Sequence, residues 1–393
     1  MSSEAKQQKV SSSQLLTDKA MGCLIGAVIG DALGSRYEFG KSATVKKQIA
    51  KDTKDGHLPI LGGGPFSLVQ GQCTDDSELS LALANSLANK KSFNIYNIAQ
   101  MYTSWFHSPP FDIGVTTTTA FKSTDPKNSE EKNYEQILMN SAKDNQNSLS
   151  NGCLMRISPL AIAGARWNLE NLQMAAKMDC ELTNPNPVAL DAVSVYVTAI
   201  RTAILTGDRL QTYKAALEAA TTEEIRNLLI AAADKPEPIT LNNGKSVSTD
   251  SQFQGYLGVA LQNTFHELLK SNKGDFEKSL VNIISRGGDT DTNGCIAGAL
   301  LGAVDGFTNI PFDWAETVLN AKPVERLKEY PLADTSNLLE LALILFGTDK
   351  SGIQEPIFKD DFIEINENEE EGERDYDYEY EDDIDDNGNE YTD

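Results

Sequence analysis

Glycine falls on every fourth residue at Gly22, Gly26, Gly30 and Gly34, and again at Gly294, Gly298, Gly302 and Gly306. That spacing puts each set on one face of a helix, and a face without side chains lets a second backbone come close. In a bilayer the same spacing marks helix dimers, but Asp31 interrupts the first set and the apolar stretch is short. The two stretches are therefore expected to be helices that cross each other, or close neighbours, at the centre of the fold. Such a crossing would carry the end of the first helix, residues 30–38, toward the loop at Asp289.

Helical periodicity extends well beyond these two segments. It predicts a first helix capped by Thr17, and others over 76–90, 94–106, 188–206, 209–220, 222–233, 254–270, 275–285, 312–319 and 337–346. Residues 122–148 and 234–250 are polar and read as surface loops. No alternating β-branched run is long enough to make a sheet. The expected architecture is an all-α, compact single-domain helical bundle over 17–350, after a disordered N-terminus (1–16) and before an acidic disordered tail (351–393). A monomer is expected.

Two oxygen-rich clusters carry the chemistry. Asp289, Asp291 and Thr292 follow the Gly287-Gly288 pair, and Thr74, Asp75 and Asp76 lie far upstream. Either cluster alone reads as a helix start, because Asp and Thr are good N-caps and Asp75 with Glu78 fits a capping box. Together, with no His or Cys among them, they suit a hard divalent cation that takes carboxylate and hydroxyl oxygens.

The charge distribution excludes other classes. Of the net −24, residues 360–393 supply −17, from 18 Asp/Glu against one Arg, so the body is only mildly acidic. No basic patch is evident, and direct nucleic-acid binding is not expected. The tail cannot bury enough apolar surface to order itself; it reads as a solvating segment, with a basic protein partner as the alternative. The five cysteines are scattered and form no metal pattern, so reduced thiols in a cytoplasmic setting are expected, the nucleus not excluded. The N-terminus has no secretory core and no apolar run reaches bilayer length, so no membrane association is expected.

The chain resembles the ADP-ribosylglycohydrolases, the family of dinitrogenase-reductase-activating glycohydrolase and the eukaryotic ADP-ribosylhydrolases. The segments that carry the resemblance are 22–38 (GCLIGAVIGDALGSRYE), Thr74-Asp75-Asp76-Ser77, Asp112-Ile113-Gly114 followed by threonines, Asn151-Gly152-Cys153-Leu154-Met155-Arg156, and 287–302 (GGDTDTNGCIAGALLG). They stand in the family's order. The resemblance implies an all-α domain with two Mg²⁺ (or Mn²⁺) ions in a cleft, acting on an ADP-ribosylated protein or another ADP-ribose conjugate.

Transferred position by position, it implies that Thr74, Asp75 and Asp76 form one metal-ligand cluster and Asp289, Asp291 and Thr292 the other. Glu38 matches a metal-linked glutamate of the serine-directed branch, and Asp112 an aspartate proposed as general base in the arginine-directed branch. Asn151 and Gly152 would lie against the ADP-ribose. Arg156 would pair with phosphate, or else serve as a structural ion-pair partner; Tyr256 would stack on adenine, or else pack on a helix. Two departures stand out: Thr183-Asn184-Pro185 replaces a common Thr-His-Pro, and Leu149-Ser150 lies where some members carry a Tyr. The implied reaction is metal-dependent hydrolysis of the glycosidic bond between ADP-ribose and an arginine or serine side chain. Two alternatives stay open: a non-catalytic ADP-ribose-binding or crystallin-like structural protein, and a hydrolase of small conjugates such as O-acetyl-ADP-ribose.

Overall fold

The computed structural model describes residues 11–241, 243–347 and 352–358. The N-terminal half runs through α1 (Ser12–Gly34), α2 (Ser42–Asp52), α3 (Asp75–Lys90), α4 (Ile95–Phe106) and α5 (Val115–Phe121). It continues with α6 (Glu130–Asp144), α7 (Gly152–Met155), α8 (Ser158–Ala163), α9 (Leu169–Glu181) and α10 (Pro187–Thr206). The second half holds α11 (Arg209–Ala219), α12 (Glu223–Asp234), α13 (Leu257–Lys270), α14 (Phe276–Ile284) and α15 (Thr290–Asp305). Three short helices follow, α16 (Phe312–Leu319), α17 (Val324–Glu329) and α18 (Leu338–Phe346). Among the described residues the only ladders are pairs of two-residue strands, so the all-α expectation holds.

The glycine ladder is the core of the molecule. Helices α1 and α15 run antiparallel in direct backbone contact, Gly22 against Gly302, Gly26 against Gly298 and Gly30 against Gly294. A Cβ on Gly298 would lie 2.0 Å from the Gly26 carbonyl oxygen, and one on Gly34 would lie 2.2 Å from that of Thr290. Gly306 does not join the helical face. It ends α15 with φ +84°, opposite Asp18. Because the pair is antiparallel, the end of α1 and the start of α15 meet at one pole. A short ladder fastens that pole, pairing Gly40 with Gly288 and Lys41 with Gly287.

Several boundaries differ from the sequence expectation. Ser11, not Thr17, caps α1: Ser11 Oγ accepts from the Gln14 amide (3.2 Å) while Gln14 Oε1 accepts from the Ser11 amide (2.9 Å). Residues 11–16 are thus cap and first turns, and the expected disorder of 1–10 falls outside the described residues. At the other end, Ile353 accepts from the Trp167 indole and Gln354 donates to Lys91, so the acidic tail cannot begin at 351. Residues 359–393 lie outside the described residues.

The segment 122–148 holds α6 rather than only a loop. Its buried face is mostly polar, with Ile137 beside Asn133, Asn140 and Ser141. Buried Asn133 donates to Gln100 Oε1 (2.7 Å), Asn140 to the Ala120 carbonyl (2.9 Å) and Ser141 to that of Leu182 (2.7 Å). The segment 234–250 contains a small hairpin, Ile239–Thr240 against Ser246–Val247. Helix α10 is long and apolar enough in composition to cross a membrane, contrary to the sequence expectation. Most of its side chains are instead buried, and it packs against α9, α11 and α15.

Candidate active site

The pole where α1 ends and α15 begins opens into a cleft of about 460 Å³. Six carboxylates line it: Glu38 just past α1, Asp75 and Asp76 in the first turn of α3, Asp112 before α5, and Asp289 and Asp291 at the start of α15. Thr116, Thr117, Ser150, Asn151 and Gly152 add hydroxyls and amides to the lining. No lysine or arginine is among the lining residues.

Asp31 joins the distant segments. It sits fully buried in α1 and accepts from the Thr74 amide (3.1 and 3.0 Å), the Ser77 amide (3.1 Å) and the Ser77 hydroxyl (2.6 Å). These bonds satisfy amides at the α3 N-terminus that have no partner within the helix, and they hold Asp75 and Asp76 toward the cleft. Sequence reading assigned Asp31 no site role. Its signal was a carboxylate inside the otherwise apolar, glycine-rich stretch 20–34.

The remaining acids are held as firmly. Asn151 Nδ2 donates to Asp289 Oδ2 (2.7 Å), and the Asn151 amide donates to the Gly255 carbonyl (3.0 Å). Thr292 Oγ1 lies 3.4 Å from Asp76 Oδ2, linking the two clusters foreseen in the sequence. Oxygens of Glu38, Asp112 and Asp291 all fall within 4.8 Å of one another. Asp112 follows a turn tied down by Arg326, which donates to Ser108 Oγ (2.9 Å) and forks onto Glu78 (2.8 and 2.6 Å).

Such crowding is costly for like charges. Burial first, then Asp112 and Asp289, push the Glu38 carboxyl up to about 9. Burial and then Asp289 push Asp112 up to about 6. Burial also raises Asp75, Asp76 and Asp291 well above the usual carboxylate range. The group takes up protons or cations to neutralise itself. A divalent cation fits: the donors are all oxygen, and Glu38 Oε2 and Asp76 Oδ1 are buried with no hydrogen-bond partner.

Three expected site residues are placed differently. The Thr74 hydroxyl lies behind the cleft wall, 3.1 Å from both Asp31 Oδ1 and Asp76 Oδ2. Arg156 does not reach the cleft as a phosphate partner. Its guanidinium is buried, bonded to Asp179 Oδ1 (2.9 Å), the Asp179 carbonyl (2.8 Å) and Thr183 Oγ1 (2.9 Å), and it also donates to the Gly152 carbonyl (3.1 Å). It braces the 151–152 loop from behind. Tyr256 does not line the cleft either: its ring lies over Gly258 beside Leu228, and its hydroxyl is buried. At the position of the missing histidine, Asn184 donates to Ser150 Oγ (3.1 Å) and so also holds that loop.

Removing Arg156 would leave the Asp179 charge buried and unpaired. Arg156→Ala is therefore expected to lose about 3–5 kcal/mol of stability, read as a lower midpoint in urea unfolding. An unchanged midpoint would mean that the pair contributes nothing.

Comparison with known proteins agrees with this geometry. A family model described as ADP-ribosylglycohydrolase matches residues 12–344. The chain belongs to the ADP-ribosylglycohydrolase family. It is thus an enzyme of the glycohydrolase class. A protein of Acanthamoeba polyphaga mimivirus named as an ADP-ribosyl glycohydrolase is 31% identical over 330 residues, covering 80% of this chain and 95% of the relative. The ADP-ribosyl-[dinitrogen reductase] glycohydrolase of Rhodospirillum rubrum is 28% identical over 300 residues, covering 76% and 89%. In fold, the chain matches a solved structure titled "ADP-ribosylglycohydrolase-related protein complex" with a TM-score of 0.61 and 24% identity, over 85% of this chain and 98% of that one.

Proposed function

We propose that this enzyme hydrolyses the bond between ADP-ribose and a modified protein side chain, arginine or serine, using two divalent ions, Mg²⁺ or Mn²⁺. The observation that carries the reading is the make-up of the cleft lining. Carboxylates, with orphaned oxygens on Glu38 and Asp76, share the cleft with neutral hydroxyls and amides. Carboxylates repel a pyrophosphate while hydroxyls and amides offer it donors, so the sugar is the part of the substrate suited to the carboxylates. The protein target named for the Rhodospirillum relative supports a protein substrate here.

Asp75, Asp76, Asp289, Asp291 and Thr292 would hold the ions, with Thr74 supporting Asp76 from behind. Bound there, divalent ions supply Lewis acidity toward sugar hydroxyls and water. The protein's own groups do the rest. The carboxylates face the carbon on which positive charge develops and stabilise an oxocarbenium-like state. Asp112, half-buried at the mouth, takes a proton from the attacking water, and Glu38 holds a proton for the departing side chain. Asn151 orients Asp289 through the 2.7 Å hydrogen bond.

The test is release of ADP-ribose from arginine-modified and serine-modified protein side by side, with Mg²⁺ and with EDTA. Metal-dependent release from one of them is expected. Release from neither, with intact ADP-ribose binding, would overturn the proposal; release from O-acetyl-ADP-ribose alone would replace the protein substrate with a small one.

A pH dependence follows from the raised carboxyls. Their folded-state values lie above the unfolded ones, so without metal their contribution is complete in acid and declines as pH rises toward about 9, the Glu38 value. Cations take the place of those protons. The rise in melting temperature on adding Mg²⁺ is therefore expected to be small at pH 5.5 and to grow toward pH 8.5. A shift independent of pH would argue that the metal binds elsewhere.

A further inference from the structure

We propose that Asp52 is a positioning residue for Glu38: it grips the two residues before Glu38 and so sets where that carboxyl stands against Asp112 and Asp291. The inference rests on the proton-holding role proposed above for Glu38 and deepens it.

Glu38 needs to be held from outside the cleft. Oxygens of Glu38, Asp112 and Asp291 crowd within 4.8 Å of one another, and Glu38 Oε2 is buried with no hydrogen-bond partner. Like charges so close drive one another apart, and no donor at Oε2 opposes that. The backbone that carries the side chain must therefore be pinned.

It is pinned on both sides. After Glu38, the Phe39 amide donates to the Gly288 carbonyl (2.8 Å), and Gly40 pairs with Gly288, which directly precedes Asp289. Phe39 there has φ +61°, a conformation that bulky residues rarely adopt and that persists only where the surroundings enforce it. Before Glu38, residues Ser35–Tyr37 form one 3-10 turn leaving α1, and a single carboxylate holds its last two residues. Asp52 Oδ2 accepts from Arg36 Nε (2.8 Å) and from the Tyr37 hydroxyl (3.1 Å), while Oδ1 accepts from Arg36 Nη2 (3.4 Å). Arg36 Nη1 also donates to the Gly62 carbonyl (2.8 Å). A Cβ on Gly64 would lie 2.4 Å from the Ser35 carbonyl oxygen, so the loop at 62–64 closes over the same turn.

Helix stability does not account for Asp52. It takes the last position of α2, where an acid opposes the negative end of the helix dipole. That end is already closed by the Thr53 amide and hydroxyl, each donating to the Ile49 carbonyl at 2.8 Å. The Asp52 carboxylate is nevertheless buried and turned to Arg36 and Tyr37. None of these three residues lines the cleft, so the network reaches the chemistry through the residue that follows Tyr37.

The test is a double-mutant cycle on the full chain, read as ADP-ribose release from modified protein with Mg²⁺. Asp52→Ala is expected to lower kcat about 100-fold, the loss that a misplacement of about 1 Å can cause, with KM within about threefold of the parent. In a Glu38→Gln background the same substitution should change kcat by less than about threefold, because the group it positions is already gone. Asp52→Asn keeps an acceptor for Tyr37 and loses the ion pair; it should fall between, and it replaces Asp52→Ala if that variant does not fold. Arg209→Ala breaks the pair with Asp305 at the far end of α15 and is the stability control, expected to leave kcat unchanged. An equal loss in both backgrounds, no loss in either, or a matching loss in Arg209→Ala would overturn the proposal. Hydrogen exchange needs no turnover: in Asp52→Ala the amides of residues 36–40 should exchange at least about tenfold faster while those of α13 keep their rates. If the parent hydrolyses no substrate, the reaction proposed above fails. There, and where Glu38→Gln leaves no turnover to compare, unchanged exchange at 36–40 overturns the positioning role and faster exchange upholds it.

Discussion

Asp289→Asn is expected to lower ADP-ribose release by more than about 100-fold, beyond the 10–100-fold that loss of an outer partner such as Asn151 typically costs. The substitution keeps the shape and removes one carboxylate from the cation-binding set. It also has an opposite effect on the metal-free protein. Asp289 is among the charges that push Glu38 and Asp112 up, so its neutralisation relieves repulsion in the cleft. The variant should therefore melt higher than the parent in EDTA while losing most of its Mg²⁺-dependent shift. A misfolded variant would melt lower, which separates the two explanations. Activity within threefold of the parent would sink the assignment of Asp289 as a metal ligand.

Much of this site was legible because its signals are covalently local. The glycine spacing fixed which helix faces meet, and the antiparallel crossing then brought residues 30–38 beside Asp289, as expected from sequence. The clusters at 74–76 and 289–292 did converge, with Thr292 near Asp76. Residues whose role depends on distant partners were not legible. Arg156 precedes an apolar run and could equally have faced ligand or core; only the fold places Asp179 and Thr183 around its guanidinium. Tyr256 follows Gly255, which lines the cleft, yet turns its ring away over Gly258. Helix α6 escaped notice because three of its four buried side chains, Asn133, Asn140 and Ser141, are polar and hydrogen-bonded, and periodicity reads only apolar side chains. Asp31 was visible as an anomaly, but its partners lie 43 and 46 residues away.

Gly298→Val is expected to abolish the cooperative unfolding transition or to cost more than about 3 kcal/mol, the upper end of ordinary overpacking. The obstacle decides the size of the effect. A Cβ at Gly298 would meet the Gly26 carbonyl at 2.0 Å, and that oxygen belongs to a helix backbone that has no rotamer by which to yield. Either α1 or α15 must move, and both are buried along most of their length. Gly114→Ala is the control for stability: its nearest neighbour would be Thr117 Oγ1 at 4.0 Å, and the change should stay within about 0.5 kcal/mol. If Gly298→Val melts like the parent, the two helices are not in backbone contact. Gly30→Ala places the same clash one turn closer to the cleft, with a Cβ 1.9 Å from the Gly294 carbonyl. There, separation of the helices shifts the start of α15, with Asp289 and Asp291, away from Glu38. That variant should lose its Mg²⁺-dependent thermal shift even at temperatures where it is still folded, because the glycine contact that builds the core also sets the spacing of the acids.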